Sequence, residues 1–527
     1  MTKKIGILFL FLFSLCANQS AFSQGKMKTT PKLANEYFEN GNFEDALDAY
    51  LTLLEQDPKN EKYNYRIAVC YLNTNIDKSK AIPYLEIITR MPKYDPNAMY
   101  LLGRAYHFAY RFDDAIKAYN AFKKDGKGDP DNLKDADQEI QYCINAKELI
   151  KFPVDVTFEN LGPSVNSAYA DYYPFVPGNE SFLVFNSKRP ADNENRTING
   201  NFTPKVCYSK VEGGKFETSQ IMAPPLNNDD GNSEVIGLSS SGNSILLYHI
   251  NLKGEGDIFL SKKDSNGNYS KPEELNENIN SKNGDEIAAS ITADGQKLFF
   301  ASNRSGGIGG TDIYMSQKLP TGIWGPAKNL GPEINTTFDE DFPNISPDGK
   351  TLYFSSKGHT GMGGYDIFKA TWDDNLQKWT SVTNVGYPIN TPEDNMNLRV
   401  SETGRYGYIA ALRKGGYGDL DIYRVTFNNV EPKYSVIKGE IVSSDTTKKI
   451  SYSDVFITVT DKKTQEVYGN YVPNSNTGRY VIIVPPGKYH IDLQLPGFKN
   501  YSEDVNVLDK DDFKTEINKN IALTPEK

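Results

Sequence analysis

The chain has 527 residues, 24% of them charged, and a formal net charge of −10. That balance excludes a nucleic-acid binder, because an acidic surface is repelled by phosphate and no basic stretch overrides it. Twelve per cent of the residues are aromatic, mostly Tyr and Phe, which favours packed strands over disorder, and the length has room for three domains. At the N-terminus, Lys3 and Lys4 precede an apolar run from Ile5 to Leu15, and a polar stretch follows that ends in Ala21-Phe22-Ser23. Residues 1–23 therefore read as a secretory signal peptide. The apolar run is about half the roughly 20 residues needed to span a bilayer. A lipoprotein processed at Cys16 is disfavoured, because Leu15 stands where a small side chain is required. Export would remove two lysines and no acids, taking the charge from −10 to −12. The exported chain would keep Cys70, Cys143 and Cys207, an odd number over two predicted domains, expected to be buried free thiols.

Residues 30–151 repeat with a period of 34 to 35. Ala34, Ala68 and Gly103 are equivalent, each followed three residues later by Tyr37, Tyr71 or Tyr106. Ala46, Ala81 and Ala115 recur likewise, with Tyr50, Leu85 and Tyr119 four residues on. Two antiparallel helices pack closely only where a small side chain lets them, and aromatic residues fill the gaps beside it. The pattern resembles tetratricopeptide repeats, and residues 132–151 read as a final capping helix. The resemblance implies a groove lined by the first helix of each repeat, which maps onto Asn35, Phe38, Tyr65, Leu72, Tyr100, Arg104 and His107 as partner-binding candidates. Ordinary packing between helices competes with that role for the aromatic members.

A second period, near 54 residues, runs through 152–428. Each unit opens on an aliphatic residue and Asn: Val165-Asn166, Leu226-Asn227, Ile279-Asn280, Ile334-Asn335 and Ile389-Asn390. A glycine turn follows at Gly178, Gly242, Gly295, Gly349 and Gly404, then Asp-Ile-aromatic at Asp257, Asp312, Asp366 and Asp421. Phe216, Tyr269, Trp324 and Trp379 close a later hairpin. Short strands between Gly, Asn and Asp turns predict a β-propeller of five blades, or of six if residues 189–204 hide a degenerate unit. The segment around Val154 to Phe158 is expected to complete the last blade and leave no open edge. The repeats resemble the TolB-like branch of propellers, as in Ser346-Pro347-Asp348-Gly349-Lys350. Gly307-Ile308-Gly309-Gly310, Gly361-Met362-Gly363-Gly364 and Gly415-Gly416-Tyr417-Gly418 read as hairpin turns needing positive φ, not as phosphate loops, since no helix follows them. Asn266-Gly267 reads as a type I′ turn rather than part of a calcium loop. The repeated aspartates read as turn caps. Asp171, Glu234, Glu286, Asp341 and Asp394 fall near the start of each innermost strand. They could ring the propeller mouth to hold a cation, an amine or a basic peptide, or be scattered loop acids.

From 433 to 524 apolar and polar residues alternate over short strands, as in Tyr480 to Val484 and Tyr489 to Leu493, predicting a small β-sandwich. Asn476-Thr477-Gly478-Arg479-Tyr480, Pro485-Pro486-Gly487-Lys488-Tyr489 and Pro496-Gly497-Phe498 resemble the carboxypeptidase regulatory-like domain, which carries no catalytic group. In this order the segments resemble the front part of a family of Bacteroidetes envelope proteins, one of whose members is a periplasmic component of the type IX secretion system. The resemblance implies a periplasmic, outer-membrane-associated scaffold with envelope or secretion proteins as partners. Members usually continue into an OmpA-like domain that grips peptidoglycan; the sequence ends at Thr524-Pro525-Glu526-Lys527 without one, which leaves direct peptidoglycan binding in doubt. Four histidines spread over three domains, with no metal-ligand or nucleophile-elbow spacing, argue against an enzyme, a cofactor or a metal. The alternative expectation is a glycan- or solute-binding protein using the propeller mouth.

Overall fold

The computed structural model describes residues 29–212, 215–227, 233–250, 256–430, 434–507 and 516–526. The expected signal peptide lies outside them. Among the described residues seven α-helices come first: α1 (Pro31–Glu39), α2 (Phe43–Leu54), α3 (Glu61–Leu72), α4 (Ile82–Thr89), α5 (Asn97–Phe108), α6 (Phe112–Asp125) and α7 (Pro130–Leu149). Side-chain caps set the starts of α1, α2, α3 and α7. Thr30, Asn42, Asn60 and Asp129 accept N–H bonds from Leu33, Asp45, Tyr63 and Asp131. Gly126, at φ 63°, ends α6 in the left-handed conformation. Ala34, Ala46, Ala68, Ala81 and Ala115 have no exposed surface, as the small-residue repeat requires. At Gly103 a Cβ would sit 2.6 Å from the Tyr119 ring, so α5 and α6 touch there. Cys70, Cys143 and Cys207 are buried free thiols.

Five antiparallel sheets follow in chain order. The first holds Asp171–Phe175, Phe182–Ser187 and Lys205–Glu212 with two short outer strands. The second runs from Ser233–Leu238 to Glu273–Glu274, the third from Glu286–Ile291 to Lys328–Asn329, and the fourth from Glu340–Ile345 to Lys378–Asn384. The fifth joins Arg399–Val400, Tyr406–Ala411 and Asp421–Phe427 to Val156–Asn160, the strand that precedes the first sheet. Val156 pairs with Phe427 and Asn160 with Tyr423. One apolar cluster fills each interface between successive sheets, and a further cluster, with Val176, Phe185, Tyr408 and Ile422, joins the fifth sheet to the first. The five sheets thus form a closed ring. Strands with two buried faces follow from this, and Phe182–Ser187 and Glu340–Ile345 are buried at every position. Residues 189–204 contain no strand; they lie against α2, with Arg196 3.7 Å from Asp45.

The last region has two sheets around its own core of Ile437, Ile457, Tyr480, Tyr489 and Ile491. Arg479–Val484 alternates exposed and buried residues, as a strand covered on one face should.

Candidate functional site

The repeated polar residues of the ring are structural. Each opening Asn presents its amide to a strand of the preceding sheet, or of the fifth sheet for Asn166. Asn335 accepts the Ile313 N–H at 2.8 Å and donates to its carbonyl at 2.9 Å. Asn166 does the same to Ile422, Asn227 to Val206, Asn280 to Ile258 and Asn390 to Ile367. Asp366 accepts the Met362 and Gly363 N–H groups, and Asp421 that of Tyr417, so these acids cap loops. The glycine loops differ from the expectation. Of their glycines only Gly415 has positive φ. The others are needed for close approach: a Cβ on Gly309 would lie 1.9 Å from the Phe338 carbonyl, and one on Gly363 2.6 Å from those of Thr391 and Pro392. Each loop thus presses on the loop that opens the next sheet. Asn266-Gly267 is also corrected. Gly267 (φ 83°) is the only left-handed residue of its turn, and Asp264 Oδ1 accepts the Asn266 and Asn268 N–H groups. A type I′ turn needs two left-handed residues, so this is a type I turn followed by a glycine.

The candidate groove residues divide into two groups. Asn35 accepts the Tyr50 hydroxyl at 2.7 Å, and Phe38 lies 3.8 Å beneath the Arg66 guanidinium. Tyr65 is half-buried, and burial raises its hydroxyl to about 12. Tyr100 packs between Tyr119 and Phe122 as core. Leu72, Arg104 and His107 instead face the ring. His107 is 3% exposed; its Nε2–H donates to the Met362 carbonyl at 2.8 Å and its Nδ1 lies 3.4 Å from Glu139. Burial opposes the imidazolium, but Cys143 and Glu139 outweigh it and hold its pKa at about 10. Glu139 is held below its ordinary range: burial raises it, and His107 and Arg104 more than compensate. Around this contact Tyr142 donates to the Lys357 carbonyl, Asn145 to that of Gly361 at 2.9 Å, Lys78 to Glu393 and Asn75 to Asp419. Met362, wholly buried in the core of α5 to α7, contributes roughly 1.5–3 kcal/mol to this docking. The helical stack is therefore seated on the ring.

The five mouth acids do not form one ring of open carboxylates, because they occupy three registers. Asp171 and Glu286 sit where each innermost strand begins, have no exposed side-chain surface, and pair with Arg189 at 2.7 Å and Arg304 at 3.0 Å. Ser167 and Ser281 donate to them, just as Thr336 does to Glu340. Asp394 lies one residue before this position, where, like Asp339, it accepts a backbone N–H from the preceding glycine loop. Only Glu234 and Asp341 lie one residue beyond it. Tyr172 donates to Glu234 at 2.9 Å, and burial raises the Glu234 carboxyl. Burial lifts Asp341 to about 7. Beside them an apolar plug of Phe342, Tyr173, Ile287, Ala288 and Met396 draws on three sheets and on the segment leading into the fifth, with the Tyr173 and Phe342 rings 4.3 Å apart. Tyr173 and Phe342 have φ of 50° and 46°, at breaks in the strand register that turn their side chains inward. Among the described residues no three His, Cys, Asp or Glu side chains are placed to hold a metal ion.

Leu72, Arg104 and His107 from the stack and Asp394 from the ring line one cleft of about 270 Å³, together with Lys78, Glu139 and Glu393. A profile of the Tetratricopeptide repeat family matches residues 32–77 and 77–130. The match spans α1 to α6, so the N-terminal region carries tetratricopeptide repeats up to residue 130. No curated protein matches the chain. Similar solved structures include TolB from Acinetobacter baumannii, 15% identical over 56% of this chain and 70% of that one, with a TM-score of 0.32. A putative TolB from Agrobacterium tumefaciens is 14% identical over 63% and 99%, TM-score 0.31. A thermostable family-43 glycoside hydrolase is 15% identical over 51% and 92%, TM-score 0.34. At these values the neighbours carry no argument about activity.

A second cleft, of about 490 Å³, adjoins the first and shares Asn75 of the tetratricopeptide region with it. Tyr172, Tyr173, Phe202, Asn199, Asn201, Lys188 and Glu234 line it. Sequence reasoning missed Asn75, Lys78, Met362 and Glu393. Most of the docking is made to backbone carbonyls, which no side-chain pattern marks.

Proposed function

We propose that this chain is an exported, non-enzymatic scaffold of the bacterial envelope, whose tetratricopeptide stack gathers protein partners over a five-bladed propeller and a small regulatory-like sandwich. The observation that carries the reading is the run of tetratricopeptide repeats, an architecture that presents an extended surface for other chains. Asn35, Phe38 and Tyr65 make no hydrogen bond, ion pair or ring contact to the propeller among the described residues and, unlike Tyr100, are not core, so the partner surface is assigned to α1 and α3. Export rests on the N-terminal segment. Among the described residues no helix is long and apolar enough to cross a membrane. A link to type IX secretion rests on the order of the segments alone. The non-enzymatic reading is supported by the engagement of Asp171 and Glu286 in ion pairs and of His107 in the docking contact. In-cell crosslinking of a tagged copy tests the scaffold. Envelope or secretion proteins should be captured and then lost on deleting residues 30–150; capture of the chain alone would reject it.

The second reading, a glycan-binding protein, is favoured by one observation: the 490 Å³ cleft combines aromatic rings with the amides of Asn199 and Asn201. Aromatic faces and amide hydrogen bonds suit a sugar. Titration with purified peptidoglycan fragments separates the readings, since saturable heat abolished by Phe202→Ala would favour this one.

A further inference from the structure

In the smaller cleft most charges are already matched. Lys78 pairs with Glu393, and His107 bridges Glu139 and the Met362 carbonyl. Tyr119 completes Glu139 at 3.1 Å. Two charged groups keep hydrogen-bonding capacity open. Arg104, on α5, makes no hydrogen bond and has no carboxylate within 4.0 Å among the described residues; its guanidinium lies 5.7 Å from the Phe108 ring. Asp394, exposed on the ring side, uses Oδ1 for the Tyr365 N–H at 2.8 Å and has no cation within 4.0 Å. The two are of opposite sign, come from different regions, line the same cleft, and do not close on each other.

We propose that this cleft binds a small zwitterion, an α-amino acid or a dipeptide, with its carboxylate on Arg104 and its ammonium on Asp394. A guanidinium whose charge Glu139 favours at longer range, but whose N–H groups are unbonded among the described residues, offers a planar fork of donors that fits a carboxylate. The carboxylate of Asp394 accepts the opposite end. Leu72 and Phe108 give an apolar wall, and Thr74 and Asn75 supply neutral polar groups at the rim. At about 270 Å³ the cleft falls below the roughly 300–1,000 Å³ of sites for drug-sized ligands, which selects a small molecule. Because the two charges belong to the stack and the ring, the ligand fastens one to the other. This assignment does not depend on the scaffold reading.

The test is calorimetric titration of the full chain with the twenty common α-amino acids and L-alanyl-L-alanine. At least one should give saturable heat, and its N-acetylated and C-amidated forms should each bind about tenfold to a hundredfold more weakly, the loss expected for a charge-assisted hydrogen bond. Arg104→Gln and Asp394→Asn should each weaken binding to the same extent, while Lys350→Gln, far from the cleft, should leave it unchanged. Absence of saturable heat from every compound overturns the proposal. So does a blocked form that binds as well as the free zwitterion, a readout on the unaltered chain that stands even where a variant fails to fold. Undiminished binding in folded Arg104→Gln overturns the placement.

Discussion

The helical stack and the ring are both made of repeats, yet they invest the repeated residue differently. In the stack it is small and apolar: Ala34, Ala68 and Gly103 mark where one helix leans on the next, and a clash at Gly103 falls on a side chain, the Tyr119 ring. In the ring it is polar or a glycine against backbone. Asn335 replaces a missing strand partner for Ile313, and Gly309 faces the carbonyls of Phe338 and Thr336. A packed side chain can still give a little; a backbone locked in a sheet cannot. Repeats in both regions therefore encode the frame, and the open chemistry collects where the two frames meet.

The contrast can be broken first at the glycines. Gly309→Ala should cost about 3 kcal/mol or more in denaturant unfolding, since nothing near it can yield. Gly295→Ala, at φ 69° with open space around it, should cost only about 1 kcal/mol. Equal costs would refute the close-approach explanation. Next, Asn335→Ala leaves the Ile313 N–H without a partner, while its carbonyl keeps the Leu330 N–H at 3.0 Å, and should cost about 1–3 kcal/mol. Gly103→Ala, opposed only by a tyrosine ring, should cost less, about 1–2 kcal/mol.

Smaller effects sharpen the comparison at the seam. The His107 pKa is raised from 6.5 to about 10 in the folded chain, so its stabilisation is fully present below pH 6.5 and lost as pH rises through about 10. Hydrogen exchange in residues 358–364 should quicken over that range, and His107→Gln should flatten the profile. Asp366 has the same sign in a lower window. Burial lifts it from 3.8 to about 7, so the folded state binds the extra proton and stability falls as pH rises between those values. Asp366→Asn keeps an acceptor for the Met362 and Gly363 N–H groups, and should change stability by less than about 1 kcal/mol at pH 5 while removing that slope.

What could be read beforehand follows from the same contrast. The opening Asn residues, the Asp-Ile-aromatic triplets and the helix alanines recur because each unit needs the same bond or the same gap. The strand near Val154 was legible because its continuation, Asn160-Leu161-Gly162-Pro163, repeats Asn329-Leu330-Gly331-Pro332. The register of the acids was not. Asp171 follows its Asn by five residues and Glu286 by six, and a shift of one residue moves a side chain to the other face. Phe342 and Tyr173 plug the ring through a local break in register that no spacing announces. Nor could sequence place His107 opposite Met362, 255 residues away, because its acceptor there is a carbonyl that every residue carries.

The closure of the fifth sheet also sets a timetable for synthesis. Thr157 meets Asn428, 271 residues further on. At about 5–20 residues per second, the Val156–Asn160 strand waits on the order of half a minute after leaving the ribosome before its partner exists. During that interval its hydrogen-bonding groups are open to any other extended chain. Agents that hold such a nascent edge should therefore govern the yield of this protein more than the stability of the finished ring does.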